Sequence, residues 1–321
     1  MTEKAKKLTI TLLSFCLITT IGSFAGGDFL LKTALLTTKG KDMPTSKTFI
    51  CAKYPYLKTW LEQAEAKGYL CDTCIINHKG KRLVGKYIAA EKQTNQTAIV
   101  IHGYTDNAYR IMHIGHMYNH DLGYNVLIPN LQYHGESEGE AIQMGWNDRL
   151  DILEWMDFAN RLFGGNTEMV IHGISMGAAT VMNVSGETLA PYVKCFIEDC
   201  GYTSVWDQFA KELKEDFGLP TFPLLYAADA LCSIKYGWRF CEASSLEQVK
   251  KSKLPMFFIH GTEDRYVPTW MVQPLFEAKR GEKELWLVEK ARHAVAFKEN
   301  RTEYIRRVKA FTDRYIKKQQ P

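Results

Sequence analysis

No segment of the 321-residue chain repeats, and no tract is low in complexity. Net charge is nearly absent as well, since 40 Lys and Arg face 36 Asp and Glu for a formal +4. With the basic residues scattered, that balance argues against nucleic acid as a partner. A mean hydropathy of −0.23 excludes a protein of many membrane spans, which needs several long apolar runs. The 10 prolines, 23 glycines and 8 cysteines are too few for a collagen-like repeat or a disulfide-stapled miniprotein. What is present is ordinary for a globular protein, 46% hydrophobic and 24% charged, so disorder is excluded too. The length suits one large domain or two small ones, with ample core in either case.

The first residues stand apart from this average. Lys4, Lys6 and Lys7 precede an apolar run from Leu8 to Ile21, followed by Gly22-Ser23-Phe24-Ala25-Gly26-Gly27. Read one way, this is a secretory signal cut after Ala25. Read another way, it is an uncleaved anchor, because a helix over Leu8–Gly27 has about the 20 residues that a bilayer requires. A lipoprotein signal is rejected, since bulky Phe15 stands before Cys16 where a small residue is needed. Residues 1–27 are therefore expected to export the chain, leaving it membrane-anchored or secreted, and 28–68 to form a partly helical spacer, helical over Tyr56–Ala66.

Seven cysteines lie beyond this leader, an odd number, so at least one lacks an intramolecular partner. Cys71 and Cys74 resemble half a zinc knuckle. They stand in a strand-like run, where residues three apart face opposite ways, and no second such pair exists. No metal site is expected there. His113, His116 and His120 share one helical face, yet no carboxylate or cysteine pattern accompanies them, and they are read as surface residues without a metal.

From Tyr69 a rhythm begins. Cys71–Asn77 and Arg82–Ala90 flank His78-Lys79-Gly80-Lys81 as a hairpin. Short apolar runs follow at Ala98–Ile101, Asn125–Ile128, Met169–Ile171, Cys195–Ile197, Met256–Ile259 and Leu285–Val288. Helix-like stretches near 107–121, 146–163, 177–187, 269–279 and 299–317 separate most of them. Buried runs alternating with helices predict an α/β fold, a parallel sheet with helices on both faces. Between Thr203 and Ser245 the rhythm fails and aromatic residues crowd together, so a helical insertion of about 203–245 is predicted.

Two copies of Gly-x-Ser-x-Gly occur, and context separates them. In Gly173-Ile174-Ser175-Met176-Gly177 the serine follows an apolar strand and precedes Ala178-Ala179-Thr180-Val181. It thus sits on a strand-to-helix turn whose glycines relieve crowding, and the helix N-terminus puts partial positive charge beside a developing oxyanion. In Gly135-Glu136-Ser137-Glu138-Gly139 two glutamates flank the serine and would oppose an oxyanion. Ser175 is the expected nucleophile and Ser137 is not.

A serine hydroxyl needs a base, and the base an orienting acid. If the chain order is Ser, acid, His, only His260 and His293 lie late enough. His293, in a loop after the last apolar run, is the expected base. Asp264, after the run Met256–Ile259, is the expected acid, with Asp199 as its rival. The oxyanion hole is assigned to the backbone amides of Met176 and Tyr104.

With these residues in place the chain resembles the α/β-hydrolase superfamily, and most closely its bacterial, often membrane-anchored serine hydrolases near the serine aminopeptidase and dienelactone-hydrolase-like branches. The resemblance rests on His102-Gly103, on Tyr133 through Gly139, on Gly173 through Gly177, on His260-Gly261-Thr262-Glu263-Asp264 with Val267-Pro268, and on His293. It implies an eight-stranded, mostly parallel sheet, a helical cap, a catalytic domain over 69–319 and no cofactor. One departure stands out: Asn130 and Gln132 replace the Asp and Arg that relatives often carry. The expected activity is hydrolysis of a carboxylic ester, thioester or small amide through an acyl-enzyme on Ser175, with the aromatic insertion lining an acyl or aryl pocket. The alternatives are an aminopeptidase or acyltransferase on the same triad, or a non-catalytic binding protein. The expected partner is a small-molecule or short peptide acyl substrate.

Overall fold

The computed structural model describes residues 2–37 and 42–317, without the side chains at positions 8, 10–13, 15, 16 and 18. The end assigned to the catalytic domain at residue 319 and the stretch 38–41 lie outside the described residues. The chain divides into two compact units, Met1–Thr37 with Val205–Ala243, and Thr38–Ser204 with Ser244–Pro321.

The larger unit is built on one sheet of eight strands: β1 (Leu70–Ile76), β2 (Arg82–Ile88), β3 (Gln96–Ile101), β4 (Asn125–Pro129), β5 (Glu168–Ile174), β6 (Val193–Asp199), β7 (Met256–Gly261) and β8 (Lys283–Val288). Their order across the sheet is β1-β2-β4-β3-β5-β6-β7-β8. β2 runs against both its neighbours, pairing Ile76↔Arg82 with β1 and Gly85↔Pro129 with β4, and every other pairing is parallel. The α/β sheet predicted from the apolar runs is present, eight-stranded and mostly parallel as the resemblance implies. Strands β3, β4 and β7 are buried along their whole length, which is why they read as continuous apolar runs without alternation.

The helices are α1 (Glu3–Leu35), α2 (Met43–Lys53), α3 (Tyr56–Ala66), α4 (Met112–His116), α5 (Asp148–Leu162), α6 (Met176–Ser185), α7 (Val205–Phe217), α8 (Leu224–Tyr236), α9 (Ser245–Lys251), α10 (Val272–Ala278), α11 (Ala296–Glu299) and α12 (Arg301–Tyr315). Residues 43–66, within the assigned spacer, contribute to the core. Ile50 of α2 and Leu57, Leu61 and Ala64 of α3 are buried in the same apolar cluster as Val126, Ile197 and Phe311. The α3 residues recur at helical spacing, so a short amphipathic helix that looked peripheral supplies core. The rest of the assigned spacer, residues 28–35, continues α1.

In the smaller unit α1 packs along α8. It runs through Ala25 without a break. The small residues there seat α8, since a Cβ on Gly26 would lie 2.7 Å from Leu224 and one on Gly27 2.8 Å from the Ala228 nitrogen. Asp28 bonds Lys32 on its own helix and Lys235 on α8. The aromatic residues of the insertion pack on one another: Trp206 against Tyr226, Phe209 against Phe240, and Trp238 against Phe240. Buried Asp229 ties this unit, accepting from the Arg239 guanidinium and from the Phe240 amide at 2.6 Å.

The three histidines do not share an exposed face. A π-helical turn at Met117–Asp121 follows α4. His113 is buried and stacks on Tyr54 at 4.7 Å, and His116 is buried against Trp60. His120 is exposed, stacked on His116.

Candidate active site

Ser175 joins β5 to α6 with φ 59° and ψ −119°, a conformation that side chains rarely adopt. The turn is possible because its flanking residues have no side chain. A Cβ on Gly173 would lie 2.1 Å from the Gly177 carbonyl oxygen, and one on Gly177 2.1 Å from that of Ile101. The Ser175 amide donates to the Asp199 carbonyl at 2.8 Å, pinning the turn to the end of β6.

The structure brings Ser175, His293 and Asp264 into one hydrogen-bonded chain. His293 Nε2 lies 2.9 Å from Ser175 Oγ, and its Nδ1 lies 2.7 Å from Asp264 Oδ2. The remaining oxygen of Asp264 accepts the Tyr266 and Val267 amides at 3.0 Å each, so the carboxylate is fixed from both sides. The Tyr266 ring packs on the His293 imidazole at 4.9 Å. The three side chains come from the ends of β5 and β7 and the loop after β8, all on the carboxyl side of the sheet.

The rivals make other hydrogen bonds, although His260 Nε2 lies 3.6 Å from Asp264 Oδ2. His260 is fully buried, and its Nε2 bonds the Val267 carbonyl at 2.9 Å. Burial lowers its pKa, against the pull of the Val267 carbonyl and of Asp264. Asp199 is also buried and accepts the Tyr304 hydroxyl at 2.9 Å. Tyr304 in turn lies 3.0 Å from His172 Nε2, and His172 Nδ1 3.1 Å from Tyr118. Desolvation pushes the Asp199 carboxyl up to about 7, against the pull of Tyr304 and His293.

Met176 opens α6, and Tyr104 stands in the loop after β3. That loop borders Ser175, for a Cβ on Gly103 would lie 3.5 Å from Ser175 Cβ. Two buried histidines brace it, a role the sequence did not assign to them. His102 Nε2 accepts the Leu131 amide at 3.0 Å, so its Nδ1 donates to the Gly103 carbonyl at 2.8 Å. His134 Nε2 accepts the Thr105 amide at 3.3 Å, and its Nδ1 donates to the Gln132 carbonyl at 2.9 Å. Burial holds His102 well below the usual histidine range, as a neutral strut.

The loop of Asn130 and Gln132 is hydrogen-bonded in its own way. Asn130 Oδ1 accepts the Ala108 amide at 2.7 Å. Gln132 donates to Asp151 at 2.6 Å, which Asn77 also reaches at 2.7 Å. Amide side chains thus brace this loop.

The profile of the prolyl oligopeptidase family matches residues 115–319, well over half of the chain. The uncharacterized protein YqkD of Bacillus subtilis (strain 168) is 33% identical over 227 residues, 71% of this chain and 74% of that protein. Among solved structures, the esterase Pf2001 of Pyrococcus furiosus superposes with a TM-score of 0.63 at 23% identity, over 77% of this chain and 92% of its own. The acylaminoacyl peptidase of Pyrococcus horikoshii superposes with a TM-score of 0.58 at 19% identity, over 78% of this chain and 42% of its own. The protein is a serine hydrolase of the α/β-hydrolase superfamily. Within that class the chain belongs to the prolyl oligopeptidase family.

Proposed function

We propose that the protein hydrolyses a carboxylic ester, thioester or small amide through an acyl-enzyme on Ser175. The observation that carries this reading is the continuous chain from Ser175 Oγ through His293 to Asp264. Ser175 Oγ attacks the acyl carbon while His293 Nε2 takes its proton, and Asp264 holds the imidazole in the tautomer that can accept it. The amides of Met176 and Tyr104 stabilise the oxyanion, helped by the N-terminus of α6. His293 then protonates the leaving group, and a water molecule attacks the acyl-enzyme by the same steps reversed.

We favour an ester over a peptide as the substrate. The peptidase reading draws on the family match and on Asp106, two residues beyond Tyr104. A Cβ on Gly103 would lie 3.6 Å from Asp106 Oδ2, so this carboxyl sits near the nucleophile and could receive an amino group.

A fluorophosphonate probe tests the nucleophile, with expected labelling at Ser175. An intact chain left unlabelled there overturns the reading. Turnover of aryl esters of graded chain length against aminoacyl anilides then separates esterase from peptidase. Faster cleavage of the anilides, lost in Asp106→Asn, would establish the second.

A further inference from the structure

The smaller unit is unusually apolar outside. Among the described residues, nine of the sixteen exposed large hydrophobic side chains lie in this unit, which holds under a quarter of the chain. Chance does not distribute apolar surface this way, and such a concentration marks an interaction surface.

The positions are ordered. Leu17 and Ile21 of α1, each 61% exposed, and Phe24 recur at i, i+4 and i+7, on one face of the helix. Phe24 also lines a groove of about 340 Å³ with Thr20 and Ser23 of α1 and with Phe222, Pro223 and Tyr226 of the α8 segment. Phe222, 71% exposed, packs its ring on Tyr226, which leans on Trp206. The α1 face is therefore continued by an aromatic edge at the start of α8.

Charge identifies the occupant. Lys4, Lys6 and Lys7 are exposed in the first turns of α1, and the twenty residues that follow, 8–27, carry no charge. A helix cationic at one end, uncharged beyond it and edged by Tyr and Phe fits a lipid surface with anionic headgroups. The lysines meet phosphate, and the rings settle at the boundary between headgroup and hydrocarbon. A protein partner would more commonly find polar groups interspersed through such a face.

We propose that Leu17, Ile21 and Phe24 of α1, with Phe222 and Tyr226 beside α8, form a docking surface for a bilayer containing anionic phospholipid. Among the described residues no helix is long and apolar enough to cross a membrane. The proposal is association through this face. It includes the inserted segment, so α8 and not α1 alone touches lipid. The packing of α8 on Gly26 and Gly27 is what holds the two parts of the surface together.

Flotation of the full chain with vesicles tests this. The chain should float with phosphatidylcholine vesicles carrying phosphatidylglycerol, and less with phosphatidylcholine alone. Replacing Lys4, Lys6 and Lys7 with Gln should remove that difference. The triple variant Leu17→Ser, Ile21→Ser and Phe24→Ser should lower partitioning at least tenfold. Phe222→Ser with Tyr226→Ser should lower it severalfold, with an unchanged circular dichroism melt showing that the fold is kept. Ser175→Ala should float like the parent, so the outcome is independent of the catalytic reading. Unchanged flotation of the Phe222 and Tyr226 variant would overturn the role of α8. A chain that stays unfloated and doubles its mass by light scattering would overturn the proposal, the face then being covered by a second copy.

Discussion

The chain contains the same five-residue pattern twice, and the two copies have opposite fates. In both, glycine is required by crowding. Gly173 and Gly177 pass within 2.1 Å of backbone oxygens once a Cβ is added, while Gly135 would meet the Asn130 side chain at 2.6 Å and Gly139 the Tyr133 nitrogen at 2.6 Å. The serines differ in their partners. Ser175 Oγ faces an imidazole, whereas Ser137 Oγ donates to the Asn130 carbonyl at 2.8 Å and accepts the Val84 amide at 2.9 Å. The first hydroxyl is held by a group that can take its proton. The second is held by backbone, which cannot. A glycine-framed serine therefore reports a tight turn, and only its acceptor reports chemistry.

The largest effect expected from this comparison is on catalysis. Ser175→Ala should reduce kcat/KM for an aryl ester by roughly 10⁴-fold or more, measured by initial rates with an unchanged melting temperature. If the variant keeps a tenth of the activity, Ser175 is not the nucleophile. Asp264→Asn should follow, at about 10³- to 10⁴-fold in kcat with KM little changed, because the amide favours the wrong imidazole tautomer. Asp199→Asn should cost far less activity, and a reversal of that order would move the acid to β6.

These expectations could be set from the sequence because motif order and strand ends are local properties. Ser175, Asp264 and His293 each follow an apolar run, and strand termini gather on one side of a parallel sheet whatever the loops do. The buried contacts were not legible. His102 and His134 belong to motifs that carry the resemblance, yet their bracing role shows only once the loops they bridge are brought together. Nor did the spacing of Leu57 and Leu61 say that α3 belongs to the main core. The close approach of Gly26 and Gly27 to α8 was not legible either. Each of these depends on a partner distant in sequence, which periodicity does not specify.

A third test concerns the buried Asp199, whose carboxyl is pushed up to about 7 by desolvation. Its ordinary pKa is near 3.9, so between roughly pH 4 and 7 the folded chain holds a proton that the unfolded chain has released. Stability from this group is therefore full at the acid end and is lost as pH rises through that window. Asp199→Asn removes the titration and still offers an oxygen to Tyr304. Relative to the parent, the variant should gain by up to about 4 kcal/mol in denaturant titrations on going from pH 4 to pH 8. A difference independent of pH would show that Asp199 is ionised throughout.

The smallest effect sharpens the comparison from the side of the second serine. The Ser137 hydroxyl takes up the Val84 amide beside the point where the β2–β4 ladder begins, at Gly85↔Pro129, and so stands in for a strand partner. Ser137→Ala leaves that buried amide without an acceptor, which costs about 1–3 kcal/mol. The expected outcome is a lower midpoint in urea with an unchanged slope, and kcat/KM within about twofold of the parent. The two serines would then separate on orthogonal axes, one losing turnover at constant stability and the other losing stability at constant turnover. A Ser137→Ala protein that is fully stable yet inactive would reverse the assignment, because a hydroxyl that only bridges two strands has no way to act on the reaction without first weakening the fold.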